Sequence, residues 1–317
     1  MTGSCIIDGV DLWSYGTFIE RGGSDDFLSF PDRRKPDQND WAEHDGLEVD
    51  LTDCFFDAKK VRVNYVIIAD NEATFQQHLN AVATLHQSPG LKQVYVREYN
   101  RTFEMRFIGF TDYNHKGGLF KPGMKTGKLT AEFIMDDPLQ IFTTAVDTPI
   151  SQRENLSQIK VNNFDLSEFG IVVREVYSSA IRPHTVKDTL ELRLHNVNGI
   201  IAHVPAEPKK QSRQITIDCT MLADTLNEFY VNWNALFNNM RVTVPIELQV
   251  SQAAKRIDCY YVKMTNFKKE APFSRSVKVS FSLALQEVTQ LTLLRLLAAE
   301  NGFLIETEDG LLIDLTY

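Results

Sequence analysis

Val10-Asp11-Leu12-x-x-Tyr15-Gly16 returns 154 positions later as Phe164-Asp165-Leu166-x-x-Phe169-Gly170. The same offset carries Ala69-Asp70 onto Ala223-Asp224, Phe75 onto Phe229, Leu79 onto Trp233 and Asn80-Ala81 onto Asn234-Ala235, all without a gap. It holds through Phe103-x-Met105-x-Phe107 and Ile257-x-Cys259-x-Tyr261, after which a length change is expected to set Phe133 opposite Phe281. A constant offset over such a span means one structural unit used twice, and every later motif has to be read in that frame. The division expected is domain 1 at 1–145, domain 2 at 155–288 and a C-terminal extension at 289–317. A length of 317 residues suits two domains, each large enough to bury a core.

Within each copy, apolar residues alternate at Val61, Val63, Tyr65 and Ile67 and again at Ile215, Ile217, Cys219 and Met221, the period of a half-buried strand. Each run leads into a helix: Phe75, Leu79 and Val82, and then Phe229, Trp233, Leu236 and Met240, recur at helical spacing. Asp70 and Asp224 are read as the N-caps, because a short carboxylate accepts from the free N–H groups of a first turn. Further alternating strands are expected at 94–96, 103–110 and 129–135, and at 244–250, 257–262 and 277–285. The unit is therefore mainly β, a sheet or sandwich with one helix, and not a βαβ array. Residues 22–45 are polar, acidic and Pro-containing and are expected to project as an arm, with 181–204 as a longer hairpin in copy two. In the extension, 290–299 reads as a short helix, and Asn301-Gly302 and Asp309-Gly310 as turns of small hairpins.

The net charge of −9 is local: residues 1–50 hold 12 acids and 4 bases, and the remainder holds 30 and 29. Affinity for nucleic acid comes mainly from Lys and Arg releasing counterions, so tight DNA binding is disfavoured, whereas passage of DNA past an acidic wall is not. The longest nearly apolar stretch, 291–299, is short and broken by Arg295, so membrane insertion is not expected. Nor is export, since residues 1–10 lack a basic and an apolar region. Cys5, Cys54, Cys219 and Cys259 lie far apart without a Cys-x-x-Cys and read as reduced, small apolar residues.

Motifs for chemistry are sparse. Gly118 to Thr126 resembles a phosphate loop only superficially, because one residue separates Gly123 from Lys125 and both flanks read as strands. The seven histidines form no His-x-His or His-Glu-x-x-His, and His78 and His86 stand eight apart without an acid or Cys to complete a zinc site. The pairs Asp25-Asp26 and Asp136-Asp137 read as solvated loop acids, and no Gly-x-Ser-x-Gly elbow is present. Arg33-Arg34-Lys35, set among acids, reads as an ion-pair partner for another subunit or a solvated tip. No catalytic, cofactor or metal residue is assigned, and the expectation is a non-enzymatic assembly module.

The opening Ile6-Ile7-Asp8-Gly9-Val10-Asp11-Leu12-x-x-Tyr15-Gly16, the loop ending Glu43-His44-Asp45-Gly46, and Phe56-Asp57-Ala58-Lys59-Lys60 before a strand and helix resemble the N-terminal domain of phage distal tail proteins. The resemblance covers 1–145 best and reaches 155–288 through the repeat; His44-Asp45-Gly46 departs from the commoner adjacent His-Gly, and copy two keeps Asn198-Gly199 there. It implies a tail-tube-like fold, shared with tail tube proteins and baseplate hub proteins, with Asp11, Gly16, Asp70, Asp165, Gly170 and Asp224 as candidate fold-defining residues. It further implies a virion protein, assembled in the host bacterial cytoplasm as a homo-oligomeric ring that continues the tail tube. Six chains or three chains of two domains each would close such a ring. The partners implied are the tail tube protein, a hub, tail fibre or receptor-binding protein, and the tape measure protein, with DNA only passing through the channel. Asp25, Asp26, Arg33, Arg34, Lys35 and Trp41 are the candidate assembly arm. Two other classes stay open: a carbohydrate- or receptor-binding module using Trp13, Trp41 and Trp233 as stacking faces, and a cell-wall hydrolase built on an acidic pair.

Overall fold

The computed structural model describes residues 5–117, 123–142, 146–151, 158–188, 191–193, 195–196, 198–202, 207–251, 255–270 and 276–288. The expected helix and hairpins of the C-terminal extension lie outside them, as does the start of the Gly118 loop. Copy one comprises β1 (Cys5–Ile7), β2 (Val10–Asp11), β3 (Thr17–Ile19), β4 (Gln38–Asn39), β5 (Glu48–Val49), β6 (Lys59–Ala69), α1 (Glu72–Gln87), β7 (Lys92–Val96), β8 (Arg101–Gly117) and β9 (Lys125–Met135). Copy two comprises β10 (Ile159–Val161), β11 (Phe164–Asp165), β12 (Ile171–Glu175), the single turn α2 (Tyr177–Ala180), β13 (Glu191–Leu192), β14 (Ile201–Ala202), β15 (Gln214–Ala223), α3 (Leu226–Met240), β16 (Ile246–Val250), β17 (Lys255–Lys269) and β18 (Val277–Glu287).

The two main sheets have the same strand order, β2-β1-β7-β8-β9-β6-β3 and β11-β10-β16-β17-β18-β15-β12. Every pairing in them is antiparallel. Long β8 is what folds the sheet into a sandwich: its first part, 101–105, pairs with β7, while 106–117 pairs with β9. A bulge at the handover, between Phe107 and Gly109, bends the strand, and β17 has the equivalent bulge between Tyr261 and Lys263. Alternation in β6 buries Val61, Val63, Tyr65 and Ile67, and in β15 Ile215, Ile217, Cys219 and Met221, as the sequence period requires.

The repeated motif has a local cause in each copy. Asp11 accepts from Trp13 N and Asp165 from Ser167 N, both at 2.9 Å, so each carboxylate caps a 3₁₀ turn, Leu12–Tyr15 or Leu166–Phe169. Gly16 and Gly170 end those turns at φ 56° and 74°, and a Cβ there would overlap the carbonyl oxygen of Ile68 or Leu222. Those neighbours stand opposite because Ile68 N donates to Gly16 O and Leu222 N to Gly170 O, both at 2.9 Å. The close approach leaves room only for glycine.

Four expectations need correction. The helix N-caps are Asn71 and Thr225, which accept from Thr74 N and Glu228 N, not Asp70 and Asp224 one residue earlier. Phe133 corresponds to Leu285 and not to Phe281: Phe133 pairs with Val61, and Leu285 with Ile215, which is Val61 shifted by 154. The arm does not project as a whole, because Phe27, Leu28 and Phe30 are buried in a hydrophobic core continuous across both copies. His86, too, is a fully buried core residue of α1 and not a core-edge or surface one.

Candidate assembly interface

The arm begins where β3 leaves its sheet, and its first half is a wedge between the copies. A one-turn 3₁₀ helix, Asp25–Phe27, turns the chain so that Phe30 enters an aromatic cage in copy two. Its ring lies 4.4 Å from Trp233, 4.9 Å from Phe237 and 6.3 Å from Tyr261, with Phe142 of copy one at 5.5 Å. Backbone atoms of the wedge are held as well. Trp233 Nε1 donates to Leu28 O at 3.0 Å, the Tyr261 hydroxyl to Pro31 O at 3.1 Å, and Arg33 N to Val262 O at 2.8 Å. From below, the buried Lys59 ammonium donates to Phe27 O (3.0 Å) and Ser29 O (2.6 Å). Burial pushes its pKa down to about 7, partly opposed by Asp26 and Asp32.

The predicted arm residues divide between the two ends of this segment. Asp25 accepts from Lys269 N at 3.3 Å, and burial raises its carboxyl above the ordinary range. Asp26 accepts from Arg62 N at 3.1 Å, which satisfies an outward-facing amide of β6. Arg33 is buried, donating to Val242 O (3.2 Å) and Asp53 O (3.0 Å) and lying over the Tyr260 ring. It is thus a link between copies in one chain, where the sequence suggested an inter-subunit partner or a solvated tip. Arg34 is exposed and pairs with Asp57 at 3.1 Å. Lys35 and Trp41 are also exposed, and Trp41 Nε1 donates to Glu48 at 2.8 Å. The distal arm still reaches copy two, where Lys187 pairs with Asp40 and donates to Trp41 O at 2.7 Å. Gly46 N donates to Lys210 O at 2.7 Å and Lys210 N to Asp45 at 2.6 Å.

Sequence reasoning missed the wedge residues Phe27, Leu28 and Phe30 and the facing pair Tyr99 and Tyr230. The Tyr230 hydroxyl donates to Tyr99 O at 2.7 Å, and Arg101 stacks 3.7 Å over the Tyr230 ring. The available signal was the apolar run Phe27-Leu28-x-Phe30-Pro31 inside an otherwise acidic loop.

A cleft of about 410 Å³ opens beside the arm, lined by Arg33, Lys35, Asp40, Tyr260, Gln211 and Gln286 among others. Its lining holds one carboxylate, Asp40, and no His or Cys. Among the described residues, no cluster of three or more His, Cys, Asp or Glu is placed to hold a metal ion. Cys5 is buried and its thiol is pushed up to about 12 by desolvation, the opposite of an activated nucleophile. Burial raises the thiols of Cys219 and Cys259 as well. No described helix is long and apolar enough to cross a membrane.

No protein-family model matches the chain, and no curated protein matches it. Among solved structures, it is similar to that of the SPP1 Dit (gp 19.1) protein, described as a paradigm of the hub adsorption apparatus in phages infecting Gram-positive bacteria. Identity is 13%, the match covers 90% of this chain and 98% of that one, and the TM-score is 0.33.

Proposed function

We propose that this chain is a structural, non-enzymatic component of a bacteriophage tail tip or baseplate, forming a ring that continues the tail tube and connects it to the hub and receptor-binding proteins. The observation that carries the reading is the Asp-Leu-x-x-[Tyr/Phe]-Gly turn. The residues that resemble distal tail proteins build one Asp-capped, Gly-terminated 3₁₀ turn twice, each time at the edge of an antiparallel sheet of identical strand order. A repeated unit of that kind suits ring assembly, where sheet edges are satisfied by neighbours. DNA would pass through the channel, and the virion would be the protein's location.

A hub-like variant of this reading has its own support. The second half is another complete seven-stranded sheet, so three chains suffice for a pseudo-sixfold ring of six such units. Sugar stacking is less well supported, since Trp233 is buried in the inter-copy cage and Trp13 is half-buried, which leaves Trp41 as the exposed indole.

The test is the solution mass of the purified protein, with negative-stain class averages viewed down any symmetry axis, alone and with tail tube protein added. A ring with an open channel is expected, of three chains for the hub-like form or six for a distal tail ring. A monomer without rings under both conditions would overturn the proposal.

A further inference from the structure

The contact between the copies joins two surfaces that each copy owns. The plug is the arm segment 25–33 of copy one. The socket is the outer half of β17 with the adjacent face of α3 in copy two: Val262 O accepts Arg33 N, Lys269 N donates to Asp25, and Trp233 and Tyr261 hold Leu28 O and Pro31 O. Because the unit is repeated, copy one carries its own socket and copy two its own plug.

Register identifies both. His115 pairs with Gly127 as Lys269 pairs with Val279, and the first bulges of β8 and β17 coincide, so Ile108 to His115 is the equivalent of Val262 to Lys269. For the plug, the bridge Arg33–Phe56 matches Val186–Lys210. Asp26 on Arg62 N likewise matches Ser179 on Thr216 N (3.0 Å), at the same step of β6 and β15. Leu28 and Arg33 thus correspond to Ile181 and Val186.

Both counterparts are uncovered. In copy two's socket Val262 and Phe267 are half-buried and Lys269 is buried, whereas their equivalents in copy one, Ile108, Tyr113 and His115, are all exposed, the first two at 46% and 49%. Leu28 and Arg33 are 1% and 5% exposed, whereas Ile181 and Val186 are 44% and 55% exposed. The helices differ in the same sense: α3 buries nine residues, α1 only Phe75, Val82 and His86. Among the described residues, the backbone of 106–117 makes no backbone bond outside its pairing with β9. Charge differs too. Asp25 and Asp32 of the first plug are drawn to Lys269 and Lys263 of the filled socket, while the second plug carries Arg182 and the open socket carries Asp112, with Glu72 paired to Lys125 and His115.

We propose that a second copy of this chain docks here, head to tail: Ile181 and Val186 of one chain seat against Leu79, Ile108 and Tyr113 of the next, repeating between chains the contact that joins the copies within one. This deepens the ring reading and rests on it for closure. One plug and one socket remain open per chain, so the contact is heterologous and closes into a ring of alternating copies when the rotation allows.

The experiment compares full-length protein with Ile108→Asp (socket blocked) and Ile181→Asp (plug blocked) by size-exclusion chromatography with light scattering. Thermal melts serve as the check that each variant is folded. The parent is expected to assemble, each variant to run as a monomer with an unchanged melt, and a 1:1 mixture of the two to give a dimer and nothing larger. A mixture that stays monomeric, or either variant assembling like the parent, overturns the proposal while leaving the ring reading in place. A parent that is monomeric with and without tube protein overturns both.

Discussion

Replacing Phe30 with Ala should uncouple the two copies. The ring is 2% exposed and lies within 6.3 Å of Phe142, Trp233, Phe237 and Tyr261. Truncating a buried Phe costs about 3–5 kcal/mol from lost transfer energy and the cavity left behind. Each aromatic pair lost adds about 0.5–1.5 kcal/mol beyond area, which places this site toward the upper end, at about 4 kcal/mol. Trp233 is a built-in reporter, since its ring packs on Phe30 at 4.4 Å and its Nε1 holds Leu28 O. In a Trp13→Phe, Trp41→Phe background, guanidinium unfolding followed by tryptophan emission should show that loss, together with a red-shifted native spectrum. Phe75→Ala, fully buried in copy one alone, is the control: it should cost a similar amount and leave native Trp233 emission in place. A Phe30→Ala cost under about 1 kcal/mol, or unchanged Trp233 emission, would refute the wedge as the element coupling the copies.

Two further outcomes follow from local geometry. Gly16→Ala and Gly170→Ala should each cost more than about 2 kcal/mol, combining a left-handed φ with overlap on a carbonyl oxygen. Gly9→Ala, at φ 84° with open space around it, should cost only about 1 kcal/mol, and equal costs in chemical denaturation would contradict the close-approach explanation. Buried His86 accepts from the Tyr65 hydroxyl at Nε2 (3.3 Å) and donates from Nδ1 to Val82 O (2.7 Å). Desolvation pushes its pKa down to about 4 from 6.5. The folded state thus binds its proton less readily than the unfolded one. The contribution is complete above about pH 6.5 and falls by about 3 kcal/mol as pH drops through 4. Melting temperature against pH should show that slope, and His86→Leu should flatten it.

The repeat carried most of the fold into view. Alternation at Val61–Ile67 and Ile215–Met221 survives because both strands bury one face, and the Gly16 and Gly170 turns are readable because the reason for glycine is local. The caps slipped by one residue where two short polar residues stand side by side, Asp70-Asn71 and Asp224-Thr225, and only backbone geometry decides between them. Matching Phe133 to Phe281 failed because aromatic identity was followed across a length change, whereas the register is fixed by pairing with β6 and β15. The wedge was illegible for a different reason. An acidic, Pro-containing loop has the composition of a projecting one, and the surface that buries Phe30 is supplied by Trp233 and Phe237, some two hundred positions away.

The local acidity of residues 1–50 acquires a second meaning from that contact. As sequence, twelve acids against four bases suggested a wall that repels phosphates. In the folded chain, Asp25 receives Lys269 N, Asp40 pairs with Lys187 and Asp45 receives Lys210 N, so acids of copy one meet lysine positions of copy two along the whole arm. Of these three contacts Asp40–Lys187 is the ion pair, with its lysine buried, and charge complementarity of this kind acts more on discrimination between right and wrong partners than on stability. Two sockets of one ancestral shape would otherwise accept either plug, and an arm folding onto its own copy or onto the wrong neighbour would poison assembly. On the proposed contact, the acidic arm meets lysine positions in one copy while Arg182 would meet Asp112 of the next chain, so charge would favour each plug in its own socket. The charge asymmetry between the halves of the chain would then tell apart two units of the same topology.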